Sequence, residues 1–111
     1  MATAAFVQDG SSIDYTPSAD VAAGDVVVQN DLVGIAKQPI AAGALGALAV
    51  VGVFEVPKAT GAGTAIGAGA KVYWDAANSQ ATASATGNTY MGKAVAAAGD
   101  DDTTVRVRLS Q

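Results

Sequence analysis

Hydrophobic and polar residues alternate along this chain in short runs separated by turn-forming clusters. The clearest run is Thr103–Leu109, where Val105, Val107 and Leu109 fall on one face and Thr104, Arg106 and Arg108 on the other. Lys71–Asp75 alternates in the same way and holds the only Trp. Asp25–Gln29 and Leu32–Lys37 flank Asn30-Asp31, a hairpin signal, and Ala5–Gln8 and Ser12–Thr16 flank Asp9-Gly10, another. Gln80–Ser84 follows a turn around Asn78. Thr89–Val95 follows Gly87-Asn88, with Tyr90, Gly92 and Ala94 opposing Met91, Lys93 and Val95. Short strands at even spacing predict an all-β fold: a small single-domain β-barrel or sandwich of short antiparallel strands with little or no helix. Single helical turns near Ala19–Ala23 or in Ala96–Gly99 are the only helical candidates.

One run departs from alternation. Ala47–Lys58 has no polar side chain from Ala47 to Phe54, and its valines favour a pleated strand. Read as one strand, it points Leu48, Val50, Phe54 and Val56 one way and Ala47, Ala49, Val51 and Val53 the other. Both faces are apolar. One would lie on the core, and the second set (Ala47, Ala49, Val51, Val53) is the expected contact with another copy of the chain. Gly52 interrupts the run at a position that suits a bulge or bend.

A tetrad recurs before strands: Val21-Ala22-Ala23-Gly24, Ile40-Ala41-Ala42-Gly43 and Ile66-Gly67-Ala68-Gly69. Each reads as an aliphatic plug at the core edge followed by a tight turn, with Gly free to take positive φ. The three spacings are uneven, so no solenoid is inferred.

The 111-residue length fits one domain, with residues 1–5 as a flexible arm and 6–111 as the β-domain. Half the residues are hydrophobic but only 5% are aromatic, so the core is thin and close-packed. With no Cys there is no disulfide or thiol chemistry, and with no His the commonest general base and metal ligand is missing. The net charge of −4 argues against binding nucleic acid by phosphate neutralisation. Ile40–Phe54, the longest uncharged run, is too short and too glycine-broken for a spanning helix. The first residues lack a basic region and an apolar core, so no export signal is read there.

Candidate chemistry is sparse. Gly61–Gly67 is spaced wrongly for a dinucleotide loop and reads as a flexible connection. Asp100-Asp101-Asp102 lacks calcium-loop spacing and reads as a solvated hairpin tip. Of Tyr73 and Trp74, which point to opposite faces of a strand, one is expected in the core and the other at an edge. Arg106 and Arg108 form a small basic strip. No catalytic residue, metal site or cofactor is expected.

Taken together, Phe6-Val7-Gln8-Asp9-Gly10 with Ile13–Pro17, Ala23–Val28 with Leu32–Ala36, Gly46–Lys58, Gly69–Asp75 and Thr104–Leu109 are similar in order and spacing to the small tailed-phage capsid cement, or head decoration, proteins. The Asp100–Asp102 run departs from that pattern. The resemblance spans nearly the whole chain. It implies a non-enzymatic virion protein, made in the host cytoplasm, that sits on the outer capsid surface and reinforces the major capsid protein, commonly as a trimer. On that view Thr3, Ala4, Ala5, Phe6 and Val7 are the candidate capsid contact, adding a strand to a neighbouring edge. A ligand- or carbohydrate-binding β-domain using Tyr73 or Trp74 is the alternative from another class. An accessory domain detached from an enzyme ranks third.

Overall fold

The computed structural model describes residues 3–111; two residues of the expected arm, Met1 and Ala2, lie outside them. Nine strands are formed: β1 Ser12–Tyr15, β2 Val26–Gln29, β3 Leu32–Ile35, β4 Gly46–Ala49, β5 Gly52–Pro57, β6 Lys71–Asp75, β7 Gln80–Thr82, β8 Thr89–Ala94 and β9 Thr104–Leu109. They build two antiparallel sheets, one of order β1-β4-β3-β2 and one of order β5-β9-β8-β6-β7. The architecture is an all-β sandwich rather than a closed barrel. No helix occurs among the described residues, and the two candidate helical turns are turns and bends.

The apolar run 47–58 is two strands, not one. β4 belongs to the first sheet and β5 to the second, and the chain changes sheet at Val50–Val51. Gly52, with φ of 130°, opens β5 after the crossing. A single strand would have left one apolar face uncovered. Dividing the run lets Leu48 enter one core cluster and Val56 the other.

The larger cluster lies between the sheets and joins Val33 and Ile35 of β3 to Val72, Trp74, Met91, Val105, Val107 and Leu109. The smaller lies on the other side of the first sheet, where Ile40 and Ala36 meet Leu48 with Ile13, Tyr15, Val21 and Val27. The expected Asp9-Gly10 hairpin does not form. Residues 3–9 are irregular, and Ser12–Tyr15 pairs instead with β4, Ile13 opposite Leu48. An isolated two-stranded hairpin is marginal. Pairing with β4 gives Ile13 and Tyr15 an apolar cover that residues 5–8 could not supply.

The recurring tetrads are turns with the expected backbone: Gly24, Gly43 and Gly69 have φ of 90°, 77° and 81°. Each closes a turn by an N–H donated across three residues: Asp25 to Ala22, Ala44 to Ala41 and Ala70 to Gly67. A fourth turn of the same kind, Asp102 to Gly99, forms where the Asp100–Asp102 run reads as a tip, with Asp101 rather than Gly at the tetrad's last position. The four units associate in pairs. Val21 bridges to Ile40 and Ile66 to Ala98, each by two backbone hydrogen bonds of 2.8–2.9 Å. Each aliphatic plug therefore sits opposite another, which is why the unit recurs.

Two local features hold the five-stranded sheet and its neighbour. A bulge where β6 meets β8 pairs Val72 with Gly92 but Tyr73 with Tyr90. Met91 is thereby turned into the core and Tyr90 set beside Tyr73, correcting the simple alternation expected for Thr89–Val95. At Gly92 a Cβ would overlap the carbonyl oxygen of Arg108 in β9. Across the sheets, the Gln111 side chain accepts from Val33 N–H and donates to Val33 C=O, as a strand backbone would.

Two outcomes are expected. Gly92→Ala should push β8 from β9 and cost roughly 3 kcal/mol in denaturant unfolding. Gln111→Ala leaves both polar groups of the fully buried Val33 unpaired and should cost about 1–3 kcal/mol. Unchanged midpoints would contradict both.

Candidate interaction surfaces

The backbone has open edges at β1, β2 and β7 and along part of β5. Near β7 the opening is narrowed by a parallel bridge from Lys58 to Ala81. Thr3–Val7, the expected capsid contact, is exposed and without regular structure, with Phe6 and Val7 84% and 85% exposed.

The four residues expected at a subunit contact are not on one surface. Ala47 is exposed on β4, Ala49 is buried, and Val51 and Val53 stand out from β5 and the residue before it. The change of sheet at Val50–Val51 is the reason, since a single strand was needed to align them. Val95 is also exposed and lies across from Arg106, to whose carbonyl its N–H donates.

The basic strip is larger than Arg106 and Arg108. Pairing places Val53 opposite Arg108, Arg108 opposite Lys93 and Lys93 opposite Lys71, all on the outer face of the five-stranded sheet. In the next row Glu55 faces Arg106, at 3.8 Å, and both side chains are more than half exposed. Lys71 and Lys93 sit in runs that alternation alone could read, but their alignment with β9 depends on strand order, which no local pattern carries.

Trp74 is buried in the main core, whereas Tyr73 is half-buried on the outer face, edge-to-face with Tyr90 at 5.7 Å. One aromatic is thus in the core and its neighbour outside, as a strand requires. With its indole enclosed, Trp74 cannot stack on a sugar.

The glycine-rich connection 60–69 is held, not loose. Asp100 Oδ1 accepts the N–H groups of Thr64 and Ala65, at 3.1 and 2.9 Å. Buried Lys58 donates to Ala59 O at 2.7 Å and reaches Thr64 Oγ1 and Asp102 O, both at 3.4 Å. Asp102 Oδ2 accepts Gly99 N–H at 2.8 Å. The acidic run therefore supplies turn closures. Among the described residues no three acidic, His or Cys side chains group as a metal site would need.

With this geometry in place, comparison with known proteins is decisive on kinship. A family model described as phage cement protein matches residues 7–109. The chain belongs to the phage cement protein family. No curated protein and no solved structure matches it. Membership supports a structural role in the phage capsid. The match covers every strand of both sheets and the Phe6–Val7 region from Val7 onward.

In this cement protein the turn after β6 lowers the pKa of one acid, Asp75. The Asn78 side-chain amide, at 2.8 Å, is the main cause that holds the Asp75 carboxyl below its ordinary range; desolvation opposes it, and the N–H groups of Asn78 and Ala77 add to it. A lowered folded-state pKa means this turn's contribution is complete above the ordinary aspartate value of about 3.9 and is lost as pH falls through the lowered one. Asn78→Ala should raise the Asp75 pKa toward that ordinary value in an NMR titration; no movement would show that the amide is not the cause.

Proposed function

We propose that this protein binds the outer surface of an assembled phage head and stabilises the shell without catalysing a reaction. The observation that carries the reading is the cement-family match from residue 7 to residue 109. A protein that binds only the assembled state stabilises it by mass action. The partner is the major capsid protein. Synthesis takes place in the host cytoplasm and residence is on the virion exterior.

Two surfaces support the reading. The exposed Thr3–Val7 segment is free to add a strand to a neighbouring sheet edge, with Phe6 and Val7 as apolar anchors. Val51 and Val53, exposed on β5 and the residue before it, are the part of the expected subunit contact that shares a surface, whereas Ala47 and Ala49 lie on β4 of the other sheet. A cyclic homo-oligomer, a trimer above all, matches the local symmetry axes of a shell, and its several weak contacts add through effective concentration. Burial of Trp74 weighs against the carbohydrate-binding alternative.

Co-sedimentation with empty expanded shells, against unexpanded ones, tests this. The expected result is saturable binding to expanded shells and a higher shell melting temperature. Failure to bind either form would overturn the proposal. Removing residues 1–7 should weaken binding at least tenfold, and unchanged binding would remove the arm. Sedimentation as a monomer at every concentration would remove the subunit contact.

A further inference from the structure

The outer face of the five-stranded sheet carries a charge arrangement that the fold does not explain. Four of the six Lys and Arg residues, Lys71, Lys93, Arg106 and Arg108, lie on strands of this sheet, in a protein of net charge −4. Only Glu55 and Asp75, of ten acidic residues, lie on the same strands. Lys71, Lys93 and Arg108 occupy successive cross-strand positions. Like charges directly opposite on neighbouring strands destabilise a sheet. Among the described residues the only ion pair within 4 Å is Arg106 with Glu55, so the row of three has no internal compensation.

We infer that this row is the docking site for a carboxylate-bearing protein surface on the capsid shell. The inference rests on the cement reading and specifies which face meets the shell. Charge complementarity identifies the chemistry of the partner. Val95 stands exposed beside Arg106, so the complementary surface sets carboxylates beside an apolar side chain.

A second copy of the chain fits less well. Two such faces brought together around a two-fold axis would oppose cations to cations. Five of the nine Asp carboxylates already accept backbone N–H groups of the fold: Asp25 from Ala22, Asp75 from Ala77 and Asn78, and Asp102 from Gly99 within their own turns, and Asp20 from Ala42 and Asp100 from Thr64 and Ala65 across to a neighbouring segment. Nucleic acid is disfavoured by the net negative charge.

The test compares the wild-type chain, a Lys93→Gln/Arg108→Gln double variant and a Lys37→Gln control, the last from the loop after β3. Each is titrated onto expanded shells of the cognate phage that lack cement protein. The double variant should bind roughly tenfold more weakly, the control normally, and wild-type binding should fall as salt rises from about 50 to about 300 mM. Because repulsion is relieved, the melting temperature of the free double variant should be unchanged or higher. A lowered melting temperature would show that the row serves the fold and overturn the inference. So would undiminished, salt-insensitive binding by the double variant. If shell binding persists but the double variant loses self-association or retention on DNA, the face belongs to a second copy or to nucleic acid instead. Wild-type protein that binds no shell removes the cement reading itself, and the partner assigned here with it.

Discussion

The fold depends on one apolar stretch serving two sheets. Gly46–Ala49 pairs with β1 and β3, and Gly52–Pro57 pairs with β9, with two valines between. Because the stretch has no polar side chain from Ala47 to Phe54, it can cross between sheets without exposing a charge to the interior. The crossing fixes how the sheets face each other. It also decides which of the apolar residues are left in water, and these are Ala47, Val51 and Val53 rather than an unbroken alternating set.

Around that crossing the structure uses backbone pairing more than bulk. The side chains are small, so burial alone gives limited stabilisation, and the polar backbone groups of long connections must be satisfied locally. The paired turns do this at two places, Val21 with Ile40 and Ile66 with Ala98. Aspartates at the turns and Lys58 beneath the 60–69 connection complete the work. The acidic composition thus has a structural meaning: many of the carboxylates hold turns and connections, while four of the six cations lie on one sheet.

Local pattern made most elements legible. The strands from Asp25 onward appear within a residue or two of their alternating runs, because alternation, Gly with positive φ and Asn at turns are signals carried by neighbouring residues. What failed was non-local. The Asp9-Gly10 turn looked like a hairpin, yet Ser12–Tyr15 found a better partner more than thirty positions away. The mid-chain run looked like one strand because nothing in Val50-Val51 states which sheet each half joins. Nothing beside Lys58 in the sequence marks it as buried, since two of its three acceptors, Thr64 Oγ1 and Asp102 O, are brought by other loops. Of the interaction surfaces, the exposed arm and the Arg106/Arg108 strip were visible, but the continuation through Lys93 to Lys71 required the strand order.

The position of β9 in its sheet has a kinetic consequence. Thr104–Leu109 is the final strand in sequence but a central one in space, held between β5 and β8. Until it arrives, those two strands have no partner on their shared side, and Val105, Val107 and Leu109 are missing from the core. Closing a ladder between segments so far apart is slow. The chain emerging from the ribosome therefore waits, with unpaired edges open to aggregation, until β9 has been made.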